Sequence, residues 1–324
     1  LEGIARAVRT RRASARELAL EAIRRIERLD LGVGAVVTLR AEEALAEAAA
    51  LDERVARGED PGPLAGIPFL VKDIEDLAGL PTTHGSLLFA DAPAERDGRI
   101  PHALRAAGAI PVGKANTPEF ACEGFTANLV FGPTRNPWAP AWSPGGSSGG
   151  SAAAIAAGMV PLATATDTGG SIRIPAALCG LVGLKPTNGL VGRDPALCWP
   201  DLTTCGPLGA SVEDVRLLLR VVAGPATGDP LYPARPPEVR AAFRRLLASP
   251  RLADFGPIHP EVSAAFERAL RRLEEVLGLP GADGLQLTGP RWTDGALLDL
   301  AARWEEAAPW PRAAEGYEPL PIPA

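Results

Sequence analysis

Polar and apolar positions alternate over the first sixty residues with the period of amphipathic helices. Ser14, followed three positions later by Glu17, forms a capping-box pattern, and apolar side chains then recur near helical spacing. A second helix is predicted over residues 41–57, where Gly58 ends it. The N-terminal part, residues 1–60, is therefore predicted to be helical.

Short apolar runs of strand length follow this helical part. Residues 66–71 (GIPFLV) form one such run, and Lys72 stands at its end. Further strands are predicted over 109–112 and 160–166, with a short helix over 101–107. Strands that alternate with helices indicate an α/β fold.

Four helices are predicted in the second half of the chain. The run GGSSGGSAAAIAAG predicts a helix with Ser151 at its N-cap and Gly158 at its end. Three more helices are predicted over 211–222, 259–277 and 293–306, the first of them capped by a serine.

Composition excludes several classes of protein. The net charge of −6 and the pI near 5.3 argue against a nucleic-acid or membrane-surface partner. No apolar run approaches the ~20 residues that span a bilayer, and the N-terminus lacks the apolar segment of a secretory signal. Four cysteines without CxxC spacing and only three histidines argue against a metal site. We therefore predict a cytoplasmic protein with reduced cysteines and no metal.

Lysine is scarce in this chain. Lysine and arginine together number 33, and only Lys72, Lys114 and Lys185 are lysines. Arginine keeps its proton in proteins, whereas a buried lysine can lose it. A retained lysine therefore marks a position where arginine will not serve.

The segment TDTGGS combines the groups that an amide hydrolase needs, namely a hydroxyl nucleophile and an oxyanion hole. Ser171 is the candidate nucleophile, and the N–H groups of Thr168, Gly169, Gly170 and Ser171 itself are candidate oxyanion donors. No histidine lies in a recognisable triad context. Lys72, at the end of a buried strand, is the candidate base, because burial favours a neutral lysine.

Three segments resemble the amidase signature family. They are GIPFLVKDIEDLAGLPTTHGS around the lysine, GKANTPEFACEGFTANLVFGPTRNPW, and the run from GGSSGGSAAAIAAG to ATDTGGSIRIPAALCGLVGLKPT. They occur in the family's order, within a resemblance that covers most of residues 1–225, and the spacing of the two serines fits. The resemblance implies an α/β amidase-signature fold, with a central twisted mixed β-sheet covered by helices on both faces, and no cofactor.

The resemblance also implies a catalytic Ser–cisSer–Lys triad. Ser171 is then the nucleophile, Ser147 relays the proton after a cis Gly146–Ser147 peptide, and Lys72 is the base. The resemblance implies supporting roles for three residues around the triad. Asp167 and Arg173 hold the nucleophile loop, and Ser148 supports the site by hydrogen bonding.

Candidate substrate contacts come from motif position and from aromatic side chains. By motif position, Cys122 and Gly124 border the substrate. Trp138, Trp142 and Trp199 either line an apolar pocket or pack as ordinary aromatic side chains.

One domain over residues 1–324 is expected, with N-terminal helices at 1–60, a catalytic core at 61–225 and a C-terminal part at 226–324. The abrupt join at 278–283 lacks a long insertion that the family carries. We expect that residues are missing from the sequence there, and an intact mass near 33.7 kDa would refute this.

Two other motifs match only in part. Residues 145–149 fit G-x-S-x-G, but the nucleophile elbow must follow a strand, and the preceding NPWAPAWSP is not one. Residues 108–114 (GAIPVGK) resemble a phosphate-binding loop, but Ala115 replaces the Ser or Thr that would hold magnesium.

Three functions compete. The first is a free-standing amidase that acts on a small-molecule amide, with a homodimer possible. The second is the A subunit of a glutamyl/aspartyl-tRNA amidotransferase. In that group Gln commonly follows the arginine, whereas Ile174 stands here. The third, a non-catalytic binding protein, conflicts with the presence of all three triad residues.

Overall fold

The computed structural model describes residues 1–193, 202–227, 229, 231, 259–277, 288, 293–319 and 321. The chain divides into two compact units, Leu1–Pro233 with Pro311–Ala324, and Ala234–Trp310. The single domain expected over 1–324 remains a prediction.

Most helices of the described residues fall close to their predicted positions, whereas α6 was not predicted. Their bounds are α1 Glu2–Arg9, α2 Ala15–Val33, α3 Ala41–Ala56, α4 Arg99–Ala106, α5 Gly149–Ala156, α6 Arg173–Leu178, α7 Val212–Val222, α8 Pro260–Leu277 and α9 Asp294–Ala307. The predicted capping box of α2 is confirmed, because Ser14 Oγ accepts the Glu17 N–H and the Glu17 carboxylate accepts the Ser14 N–H, both at 3.0 Å. The predicted serine cap of α7 is confirmed too, since Ser211 Oγ accepts the Asp214 N–H.

The described strands are β1 Val36–Leu39, β2 Pro68–Lys72, β3 Ile110–Ala115, β4 Ala127–Asn128, β5 Gly132–Pro133, β6 Leu162–Ala163, β7 Thr166–Asp167, β8 Val182–Gly183, β9 Thr204–Cys205 and β10 Leu208–Gly209. Four of them form a sheet in the order β1-β3-β2-β6. β2 runs parallel to β3 and β6, and β1 runs antiparallel to β3. This mixed sheet and its helices confirm the predicted α/β class.

The core places the end of β2 in the interior. Every residue of β2 is buried, and Phe69, Leu70 and Val71 have no exposed surface. All residues of α5 are buried too, since its alanines and glycines allow close approach to β2. Lys72, the last residue of β2, therefore lies in a region that excludes water.

The predictions around α5 need two corrections. Ser151 is not the N-cap, because the helix begins at Gly149 after Ser148 and the Ser151 hydroxyl donates to the Thr164 carbonyl at 2.8 Å. The strand predicted over 160–166 is two short strands, β6 and β7, because the chain pairs first with β2 and then with β9.

The second unit contributes α8 and α9. The join at 278–283 lies outside the described residues, as do Cys198 and Trp199. Cys122, Cys179 and Cys205 carry free thiols. In the part of the chain that the structure describes, no helix is both long enough and apolar enough to cross a membrane.

Candidate active site

Lys72 and Ser147 meet inside the protein. Lys72 Nζ donates to Ser147 Oγ at 2.7 Å and to Thr166 Oγ1 at 2.9 Å. The Lys72 side chain has no exposed surface, and Ser147 is 1% exposed. The lysine amine is thus held by two hydroxyls, one of which belongs to the expected proton relay.

Burial changes the chemistry of this lysine. It lowers the pKa of Lys72 to about 7, although Glu75, Cys205 and Asp167 act in the opposite direction. A large share of Lys72 is therefore neutral near pH 7, and a neutral amine can take a proton from a hydroxyl.

The peptide before Ser147 has the configuration that the resemblance implies, since Gly146–Ser147 is cis. A Cβ on Gly146 would lie 2.5 Å from the Phe125 carbonyl oxygen, so only glycine fits there. The Ser147 carbonyl in turn accepts the Thr117 hydroxyl at 3.0 Å. Backbone contacts on both sides fix the position of Ser147.

Ser171 lies beside this segment and is half-buried. Its carbonyl accepts the Ser148 N–H at 3.2 Å, which ties the two serine-bearing loops together. Among the described residues, no hydrogen bond joins the Ser171 hydroxyl to Ser147. The structure thus brings Lys72 and Ser147 into direct contact and leaves the Ser171 hydroxyl without such a contact.

Asp167 organises the loop that carries Ser171. Its carboxylate accepts two hydrogen bonds from Arg173, at 2.8 and 2.9 Å, and one each from the N–H groups of Gly170 and Ile172. Burial by itself would raise the pKa of Asp167, but Arg173 and the two N–H groups hold this pKa below its ordinary value. The carboxylate is therefore charged at neutral pH and supports the loop from inside.

One candidate oxyanion donor is already used. The Gly170 N–H donates to Asp167 Oδ1 at 2.8 Å, so the expectation that it faces the oxyanion is not met in this arrangement. Thr168 and Gly169 are exposed, and among the described residues the N–H groups of Gly169 and Ser171 have no hydrogen-bond partner. These N–H groups stay available to a substrate.

Ser148 supports the site more weakly. Its hydroxyl lies 3.4 Å from both the N–H and the carbonyl oxygen of Thr166, which is long for a hydrogen bond. Ser148 has no exposed surface, so these two contacts help to hold β7 beside α5.

The segment that contains Cys122 and Gly124 borders the cis peptide. Both residues are exposed, and the carbonyl oxygens of Glu123 and Phe125 lie against Gly146. The Cys122 thiol donates to the Phe120 carbonyl at 3.3 Å. The segment therefore lies next to Ser147, and its role in binding stays a prediction.

Two of the three candidate pocket tryptophans, Trp138 and Trp142, lie among the described residues, and their environments differ. Trp138 Nε1 donates to the Cys179 carbonyl at 2.8 Å, which indicates a packing role. Trp142 is 73% exposed.

Several functional neighbours were not predicted. Thr166 holds the lysine amine, and Glu75 contributes an acidic group beside it. Thr166 carries one available signal, since it is one of two threonines, with Thr164, in the mainly apolar run LATAT. Lys114 forms a buried ion pair with Asp73 at 3.1 Å, which assigns it a structural role.

Among the described residues, no group of three His, Cys, Asp or Glu side chains is arranged to hold a metal ion.

Comparison with known proteins identifies the family. The family model described as Amidase matches residues 17–279. The A subunit of glutamyl-tRNA(Gln) amidotransferase from Symbiobacterium thermophilum is 44% identical over 271 residues, which cover 81% of this chain and 56% of that protein. An acylamidase of Rhodococcus erythropolis is 39% identical over 299 residues, which cover 89% of this chain and 61% of that protein.

Solved structures agree with the sequence comparisons. A bacterial aryl acylamidase of the amidase signature family superposes with a TM-score of 0.75 at 33% identity, over 86% of this chain and 59% of that one. The chain thus spans only 56% to 61% of the length of these three relatives. The buried lysine, the cis peptide and the glycine–serine loops stand within the matched region, and the chain belongs to the amidase family of amidase-signature enzymes.

Proposed function

We propose that this protein hydrolyses the C–N bond of carboxamides, giving a carboxylate and ammonia or an amine. The observation that carries the proposal is the 2.7 Å contact between the fully buried Lys72 amine and the Ser147 hydroxyl. A lysine with a pKa of about 7 can act as a base at neutral pH, and a serine in contact with it can relay protons.

In the proposed mechanism the Ser171 oxygen attacks the amide carbonyl and loses its proton to Ser147, which passes its own proton to neutral Lys72. The oxyanion is stabilised by the N–H groups of Thr168, Gly169 and Ser171. The proton then returns through Ser147 to the leaving nitrogen, and the C–N bond breaks. Water cleaves the resulting ester by the same relay and restores the free serine.

The proposed substrate is a small carboxamide. The support comes from relatives named acylamidase and aryl acylamidase, each matching more than four-fifths of this chain. The proposal includes a cytoplasmic location, a possible homodimer, and neither a nucleic-acid nor a membrane partner.

A second candidate is the A subunit of a tRNA-dependent amidotransferase, since a relative of that name is 44% identical. The position after Arg173 favours the free-standing amidase, because Ile174 stands where that group commonly has Gln. The Ile174 side chain packs against Gly170 in the nucleophile loop. Turnover by the purified chain alone would count against the amidotransferase reading.

The test is release of ammonia or amine from a panel of aliphatic, aryl and peptide amides. Ser171→Ala is expected to lower kcat by at least about 10³-fold, because no nucleophile remains. Ser263→Ala, on helix α8, is the control and keeps full activity. When the reaction of the wild type is stopped during turnover, mass spectrometry should find protein that is heavier by the acyl group of the substrate. Equal activity of Ser171→Ala and the wild type would refute the proposal.

A further inference from the structure

Glu75 is a buried acid that the mechanism above does not use. It lies in the tight turn after β2, where its N–H donates to the Lys72 carbonyl at 2.9 Å. Glu75 is 8% exposed, whereas its neighbour Asp76 is exposed. The turn therefore directs one of two adjacent acids into the protein, beneath the lysine.

The Glu75 carboxyl is only partly satisfied. The Cys205 thiol lies 3.7 Å from Oε1, and hydrogen bonding from the Thr164 hydroxyl lowers the pKa of the carboxyl. Among the described residues, the buried Oε2 has no partner within hydrogen-bond distance. A buried polar atom without a partner destabilises the fold. Such an atom is therefore expected to serve a purpose other than stability.

The contacts of Glu75 lead to the lysine. Cys205 belongs to β9, which pairs with β7. β7 carries Thr166, whose hydroxyl holds Lys72 Nζ at 2.9 Å. Thr166 and Cys205 are direct partners in this antiparallel pair, and such partners project from the same face. The carboxyl and the amine therefore lie on one face of a small strand pair, inside a region that excludes water.

Their protonation equilibria overlap. Burial raises the pKa of Glu75 to about 7, although Thr164, Lys72, Lys114 and Cys205 act in the opposite direction. The carboxylate in turn raises the pKa of Lys72, which burial lowers to about 7. Two interacting groups that titrate in one range take up protons as a pair.

Other charged groups face this pair from each neighbouring element, and most are already neutralised. Asp73 pairs with Lys114, and Asp167 pairs with Arg173. The groups that act on the pair are Lys114 of β3, Asp167 of β7 and Cys205 of β9. Asp73 and Asp76 of the turn act in turn on Lys114, and Arg99 of α4 acts on Cys205. Within the described residues, Glu75 is the acid beside Lys72 that has no cation of its own.

We propose that Glu75 is a positioning residue that shares one buried proton with Lys72 and thereby sets the lower pH limit of amide hydrolysis. The proposal rests on the proposed function, because only a neutral Lys72 can accept the Ser147 proton. An anionic Glu75 holds the proton on the lysine, and a neutral side chain at position 75 releases it.

The three lysines of the chain allow a direct test. In protein labelled with ¹³Cε-lysine, each lysine gives its own signal, and Lys72→Met assigns that of Lys72. Glu75→Gln keeps the shape of the side chain and removes its charge. The titration midpoint of Lys72 should fall by about one pH unit, so that the ratio of neutral to charged Lys72 at pH 6 rises roughly tenfold.

Asp76→Asn is the matched control, since it removes an adjacent but exposed charge. Cys205→Ala is the second variant if Glu75→Gln does not fold, and it should move the midpoint in the same direction by a smaller amount, because the carboxylate loses a donor. An unmoved midpoint, or an equal shift in Asp76→Asn, would overturn the proposal.

The pH profile of kcat/KM separates this inference from the function on which it rests. If both are correct, the acidic limb moves to lower pH together with the Lys72 midpoint, which a merely structural role for Glu75 would not produce. If the midpoint moves and the limb does not, Lys72 is not the base of the proposed mechanism and Glu75 does not set the pH limit, while the shared proton stands. If neither the wild type nor any variant hydrolyses an amide, the proposed function fails, and the Lys72 midpoint still tests the shared proton.

Discussion

At the scale of the residue, Asp167 shows how one charge shapes the nucleophile loop. Its side chain has no exposed surface and accepts hydrogen bonds from Arg173, Gly170 and Ile172. The partners bind the charged form, so the folded-state pKa lies below that of the unfolded chain. The carboxylate therefore stabilises the fold above about pH 4, and this contribution is lost as the pH falls through the folded-state pKa.

We expect Asp167→Asn to lower the free energy of unfolding by about 2 kcal/mol at pH 7, because hydrogen bonds to a charged group are lost. Thermal unfolding from pH 3 to pH 7 measures this. The difference in unfolding free energy between the variant and the wild type should narrow below about pH 4. Asp91→Asn changes an exposed position and should unfold with the same free energy as the wild type. If the difference in unfolding free energy between Asp167→Asn and the wild type stays constant with pH, the charge of Asp167 is not the cause of the lost stability.

At the scale of the element, the crossover from α4 to β3 depends on one glycine. Gly108 has φ +92°, and a Cβ there would overlap the Pro61 carbonyl oxygen. Its own carbonyl accepts the Gly66 N–H at 2.9 Å. The tight turn lets β3 enter the sheet beside β2, which carries Lys72.

Gly108→Ala should therefore cost about 2–4 kcal/mol of stability in urea unfolding, from backbone strain together with overlap. Gly58→Ala is the matched control, since Gly58 has φ +81° but nothing within 4 Å of a new Cβ. This variant should cost only about 1 kcal/mol. Equal costs in the two variants would show that close approach does not constrain the crossover.

At the scale of the whole molecule, charge limits the possible partners. The chain carries a net charge of −6, and counterion release favours nucleic-acid binding only for basic surfaces. Fluorescence anisotropy of labelled tRNA should therefore not change when the chain is added, at low or at physiological salt. Salt-dependent binding would contradict this prediction and favour the tRNA-dependent amidotransferase.

The sequence by itself determined most of the helices, the α/β class and the family, and it missed the short helix α6. Helical periodicity and caps are local, so Ser14 and Ser211 could be assigned from neighbouring residues alone. Lysine scarcity marked Lys72, and the resemblance supplied its expected partner, Ser147. The predicted N-cap at Ser151 was wrong, because a distant carbonyl satisfies its hydroxyl.

Only the tertiary structure decided how these groups meet. Thr166 contacts Lys72 across 94 positions of sequence, and Cys205 contacts Glu75 across 130. The Gly170 N–H, predicted as an oxyanion donor, is taken by Asp167. Burial and hydrogen-bond partners arise from distant segments packed together, and these set the pKa of a side chain. For that reason Lys72 and its tendency to be neutral could be predicted from the sequence, whereas the contacts of Thr166 with Lys72 and the buried position of Glu75 required the fold.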